Sequence, residues 1–167
     1  IDYEKNGKFQ NGYVYKDRVL NISKFTKLTK KQIIENEVIL ANRKVEIKIT
    51  EKEFEKTKHS FKYYKENPNQ LYLIDEKEIF GTDGNIPKKE YNSIVIKIDT
   101  LKIELPNEAI ENLYEPNLEF TNANFDEKTE TFYIQSLNGD GAGGYAIIWI
   151  IEKGKYKKRI TTTPFWE

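Results

Sequence analysis

The sequence predicts a mainly β protein, a single-domain antiparallel β-sandwich of roughly eight to ten strands with one or two short helices. Three observations carry that prediction. Apolar and polar residues alternate over short runs, most cleanly in residues 45–49 (VEIKI), and Ile94, Ile96 and Ile98 share one face of residues 94–98. Turn-forming residues bound those runs. The stretch 129–163 is rich in Thr, Tyr, Phe and Ile, which suit a pleated surface, and one glycine-rich loop interrupts it.

The first twelve residues are polar and read as a loose start ending in the turn signal Asn11-Gly12. Residues 13–22 (YVYKDRVLNI) alternate imperfectly and could hold a strand. Residues 24–31 are basic, with Thr29 placed as a cap facing Gln32. Residues 37–40 (EVIL) and 45–49 make a hairpin around 41–44 (ANRK). Thr50-Glu51-Lys52-Glu53 matches a capping box and predicts a short helix over 50–60, with His59 near its end. Residues 61–64 (FKYY) and 71–74 (LYLI) read as strands. In 79–87 (IFGTDGNIP), two glycines flank Asp83, which suits a tight turn.

Residues 92–106 (NSIVIKIDTLKIELP) give the clearest hairpin, turning at Asp99-Thr100 and stopped by Pro106. Residues 107–113 allow one or two helical turns. Residues 118–125 pair with 129–137 through the turn at 126–128. The run 145–151 (YAIIWII) is apolar on both faces and reads as a central strand covered on both sides. Residues 155–163 alternate like an edge strand, so the last three strands form an antiparallel meander with 145–151 in the middle.

Composition narrows the chemistry. The 167 residues carry 27 basic and 27 acidic side chains, a formal net charge of zero that argues against a nucleic-acid or membrane-surface partner held by bulk charge. No cysteine is present, so disulfides and thiolate chemistry are excluded. With His59 the sole histidine, a multi-histidine zinc site is excluded too, and any Ser-His-Asp machinery would have to pass through that residue. No apolar run approaches the length of a membrane span. The sequence starts at Ile1 and holds no Met, which suggests a processed or trimmed chain; a removed leader or lipid-anchor signal fits, and an exported, periplasmic or cell-envelope location is expected, with the cytoplasm as the alternative.

The loop 138–144 (NGDGAGG) invites three functional readings: a calcium loop, a phosphate cradle, and a ligand or partner surface made of exposed backbone. Ser136, Asn138, Asp140 and Gly141 have the spacing of the first positions of a calcium loop, but Ser136 stands where a carboxylate belongs and Ile147 falls at the last ligand position. Gly139, Gly141 and Gly144 give a GxGxxG spacing, but a strand follows where a phosphate-binding helix N-terminus is needed. A shaped hairpin connection is the better expectation.

Two motifs together, Phe80-Gly81-Thr82-Asp83-Gly84 with Pro87 and Asp140-Gly141-Ala142-Gly143 with Tyr145 and Trp149, resemble small uncharacterised bacterial proteins of the envelope and immunity type. The resemblance covers the chain from Leu71 onward. It implies a non-enzymatic binding role and no cofactor, and it supplies no active site. The expectation is therefore a protein-binding domain, an immunity-type inhibitor of a bacterial toxin. Its candidate contacts are Asp83 and Asp140 on glycine-shaped loops, with Tyr145 and the terminal Trp166 as aromatic anchors. A nuclease target would call for a local acidic patch, and residues 35–37 and 51–55 supply the acidic clusters. The alternative expectation is an envelope-associated glycan or small-ligand module, with Trp149 and Trp166 as stacking candidates, although Trp149 sits inside the apolar strand and is better read as core.

Overall fold

The structure, a computed structural model, describes residues 2–5, 8–139 and 141–163. In chain order, β1 (Asp2–Lys5) and β2 (Lys8–Asn11) pair as a small hairpin. They are followed by β3 (Thr26–Lys27), β4 (Thr29–Ile34), β5 (Glu37–Ala41) and β6 (Val45–Glu53). Next come β7 (Phe61–Tyr63), β8 (Leu71–Ile74), β9 (Lys77–Glu78), β10 (Lys89–Ile98) and β11 (Leu101–Glu104). The chain closes with β12 (Asn122–Asp126), β13 (Thr131–Asn138), β14 (Tyr145–Glu152) and β15 (Lys155–Thr162).

Two five-stranded sheets make the body, in the orders β11-β10-β6-β5-β4 and β15-β14-β13-β12-β3, all pairings antiparallel. Their inner faces share one core, which joins Val38, Leu40, Ile47, Ile49, Ile94 and Ile96 to Phe132, Ile134, Ile147, Trp149 and Ile151. A T-shaped contact at 5.4 Å between Tyr91 and Trp149 crosses the two layers. The fold is thus the mainly β two-layer arrangement that alternation predicts. A third sheet, β7-β8-β9, has its own small apolar cluster of Phe54, Leu71, Ile74 and Tyr114.

A bulge between Tyr91 and Ser93 has a consequence for the core. It inserts one residue, so that Tyr91 and Ile94, three positions apart, both face inward. On the facing strand Glu51 keeps the inward phase of Val45, Ile47 and Ile49 and is buried as a result.

Several expectations are corrected. The capping-box segment Thr50-Glu51-Lys52-Glu53 is the end of β6, held by β10, and only a 3-10 turn at Lys56–Lys58 follows. Among the described residues no α-helix occurs, and the short helical pieces are 3-10 turns, one of them at Asn107–Ala109. Residues 13–22 form no strand. Their alternation breaks at Lys16–Arg18, a 3-10 turn, and Tyr13, Tyr15, Val19 and Leu20 are exposed. Thr29 begins β4 and caps no helix. In β14 the face with Tyr145, Ile147, Trp149 and Ile151 is buried, while Ala146, Ile148 and Ile150 are half-buried. No helix among the described residues is long and apolar enough to cross a membrane.

Candidate functional site

Three loops from distant parts of the sequence meet at one end of the sandwich. They are residues 81–85, residues 115–117 and residues 139 and 141–143, and glycine is what lets them meet. Gly81 (φ +113°) donates its amide to the Gly143 carbonyl at 3.1 Å, and a Cβ on Gly81 would lie 2.1 Å from the Tyr114 carbonyl oxygen. A Cβ on Gly143 would lie 2.4 Å from the Thr82 carbonyl carbon. Gly139 donates to the Glu115 carbonyl at 3.0 Å. The glycine-rich motifs therefore serve backbone-to-backbone packing between loops.

Beneath the loops lies a buried polar network. Asn138 Oδ1 accepts from the Ser136 hydroxyl at 2.7 Å, the Asn117 amide at 2.8 Å and the Tyr91 hydroxyl at 3.1 Å. Thr121 and Ser136 hydroxyls bond at 2.9 Å. Burial raises the phenols of Tyr91 and Tyr145 well above their ordinary range, so both are neutral hydrogen-bonding groups. With Ser136 and Asn138 committed to this network, two positions of the calcium-loop spacing face the core. Residues Gly141–Gly143 form a 3-10 turn leading into β14, so the GxGxxG spacing has no helix behind it.

The sequence-derived contacts separate. Asp83 is exposed at the rim of a cavity of about 630 Å³, which is also lined by Asn85, Lys88, Glu115, Pro116 and Asn117. Tyr145 is 0% exposed and donates its hydroxyl to the Tyr114 carbonyl at 3.1 Å, so it is corrected from surface anchor to core residue. It alternates in phase with Ile147 and Trp149, which put it on the inner face. Trp149 is likewise 0% exposed, with its indole N–H on the Ala109 carbonyl at 2.7 Å, and offers no platform to a sugar. Asp140 and the tail 164–167 with Trp166 lie outside the described residues.

Beside this cavity lies a second surface that the sequence hinted at without assembling. The β5–β6 pairing sets Glu37 opposite Thr50, so residues 35–37 and 51–53 share one sheet end. Glu35, Glu51 and Glu53 all act on the single ammonium of Lys89, which is held above its ordinary range by its hydrogen bond to Glu51. A shallow cavity of about 360 Å³ follows, lined by Ile33, Ile34, Glu35, Glu51, Pro116, Leu118 and Glu119. Ile33 (47% exposed) and Ile34 (52%) stand in the open there, and Phe120, next along the Leu118–Phe120 turn, is exposed as well.

His59 has partners that sequence spacing did not reveal. Its Nδ1 lies 2.6 Å from Asp75 Oδ2, and its ring stacks on Phe54 at 4.5 Å. The Ser60 amide and hydroxyl, however, bond to Asp75 Oδ1 at 2.8 and 3.1 Å, so the serine meets the carboxylate and not the imidazole. The nucleophile-to-base contact of a triad is missing, and the cluster acts as a clasp between β7 and the β8–β9 turn. The Ser60 amide first, then the His59 ring and the Ser60 hydroxyl, hold the Asp75 carboxyl below its ordinary range. A carboxyl depressed by folding stabilises above the ordinary carboxylate range, and that contribution fades as pH falls through the folded value. Asp75→Asn is therefore expected to cost less than about 1 kcal/mol near neutral pH, because the side chain is 46% exposed. Urea unfolding of both proteins should show the difference vanishing at acid pH.

The chain matches no family model, no curated protein and no solved structure.

Proposed function

We propose that this chain is a non-enzymatic protein-binding domain, most specifically an immunity-type inhibitor that blocks a bacterial toxin at the cell envelope. The observation that carries the reading is the surface of Ile33 and Ile34 beside Glu35 and Glu119, with Glu51 buried beneath them and paired with Lys89. Exposed β-branched residues on a hairpin end serve as apolar anchors, and the acidic rim selects a basic partner and speeds encounter. The neutral total charge is compatible with this, because Glu35 and Glu119 are without an ion pair among the described residues, while Lys89 and Lys48 are paired with Glu51 and Glu37. The His59 cluster lacks the geometry for nucleophilic catalysis, which favours binding over chemistry.

The test uses two baits in parallel, the wild-type chain and the double variant Ile33→Asp with Ile34→Asp, on extracts of the source organism. Both residues are exposed, so the variant should melt as the wild type does. One stoichiometric protein is expected on the wild-type bait, with at least about a hundredfold weaker binding to the variant. Expressing that protein in a host should be toxic, and co-expressing the wild-type chain, but not the variant, should relieve the toxicity. Equal retention by both baits would remove this surface from the account, and a captured protein without toxicity would remove the immunity reading.

A further inference from the structure

The cavity among the three loops has a chemistry of its own. Its lining residues bear two carboxylates, on Asp83 and Glu115, one ammonium, on Lys88, and two amides, on Asn85 and Asn117, with Ile86 and Pro116 as apolar neighbours. Little of this hydrogen-bonding capacity is used. Among the described residues, the Asp83 carboxylate, the Lys88 ammonium and the Asn117 amide side chain make no hydrogen bond or ion pair, and Asn85 makes one weak bond at 3.4 Å to the Asp83 carbonyl.

Glu115 is held in place from several sides. Its backbone sits at φ +47°, in the left-handed region that non-glycine residues seldom adopt. Its amide donates to the Lys89 carbonyl at 3.0 Å, its carbonyl accepts from Gly139 at 3.0 Å, and its Oε1 accepts from the Lys88 amide at 2.5 Å. A strained backbone held by two hydrogen bonds, with Oε1 tied by a third, leaves the second carboxylate oxygen, Oε2, pre-oriented with no partner among the described residues. Rigid, unspent groups around a concave space are what a small-ligand site requires.

The sign pattern selects the ligand. A cation entering the cavity meets Lys88, and an anion meets Asp83 and Glu115. A neutral molecule with several hydroxyls satisfies both, because hydroxyls donate to carboxylates and accept from ammonium and amide groups. Ile86 and Pro116 can cover the C–H face of a sugar ring. We infer that this cavity binds a neutral saccharide of one or two units, oriented by Glu115 and Asp83. The volume lies within the range of small-molecule sites, which run from about 300 to 1,000 Å³. The site adjoins the Ile33–Ile34 surface, with Pro116 and Asn117 bordering both cavities, but the inference does not depend on that surface.

The test is a titration of the full, ¹⁵N-labelled chain with glucose, N-acetylglucosamine and their β-1,4-linked dimers, followed by amide chemical shifts. Arginine amide and inorganic phosphate serve as cationic and anionic probes. Saturable shifts confined to residues 81–88, 115–117 and 139 are expected with at least one sugar, at a Kd of about 1 mM. Glu115→Gln keeps an oxygen to accept from Lys88 and should weaken that binding about tenfold without changing the melting temperature. Should that variant unfold, exposed Asp83→Asn provides the same readout. No saturable shift with any sugar, or a response of these residues to arginine amide or phosphate alone, would overturn the inference.

Discussion

Trp149→Ala should cost about 4 kcal/mol, close to the whole stability of a marginal domain. Trp149 is 0% exposed in the middle of β14, and its ring meets Tyr91 from the opposite sheet. Truncation would leave a cavity between the two layers. It would also strip the Ala109 carbonyl of its indole donor at 2.7 Å, and a buried acceptor without a partner adds about 1–3 kcal/mol. Trp149→Phe separates the two terms, since it keeps most of the packing and removes only the donor. Chemical unfolding of the three proteins should place the Phe variant between the other two. Equal stability of wild type and Trp149→Ala would mean that the sheets do not pack through this residue.

Gly81→Ala should be nearly as damaging, at more than about 3 kcal/mol. Two effects combine there. The backbone at φ +113° is one that side-chain-bearing residues rarely adopt, and the new Cβ would collide with the Tyr114 carbonyl oxygen at 2.1 Å. That oxygen is backbone, and Tyr145 also donates to it, so it cannot easily withdraw. Gly141→Ala is the informative comparison. Its φ of +49° carries strain, but nothing lies within 4 Å of the added carbon, so about 1 kcal/mol is expected. Similar costs at both positions would show that conformational strain, and not the meeting of loops, explains the glycines.

Much of the fold is legible because its strands are joined by short local hairpins. Residues 45–49 alternate strictly and 94–98 do so except at Val95, and the two are strands paired to each other in the first sheet. The order β13-β14-β15 follows from three β-rich runs separated by glycine-containing turns. Thr50 to Glu53 was misleading for a physical reason. Thr50, Glu51, Lys52 and Glu53 are all polar, so the run carries no apolar alternation to mark a strand, and pairing with Lys89 through Ser93 decides.

The site is less legible than the fold. Gly81 finds Gly143 and Glu115 finds Gly139 only through tertiary folding, and no local pattern encodes such meetings. His59 meets Asp75 across the β7–β8 hairpin, a pairing that becomes readable only once that hairpin is accepted. The joining of the two acidic clusters was closer to hand. Once residues 37–40 and 45–49 are paired as a hairpin, Glu35 and Glu51 must fall at the same end. Tyr145 follows a glycine-rich loop, where an aromatic residue looks like a rim anchor, but its strand phase sends it inward.

The most direct test of the protein-binding account is amide hydrogen exchange on the chain alone and with its captured partner. Protection on binding is predicted over residues 31–37 and 115–120, the two segments that carry Ile33, Ile34, Pro116, Glu119 and Phe120. Protection confined to the exposed segment 13–20, or to the outer face of β13 to β15, with none over residues 31–37, would contradict it.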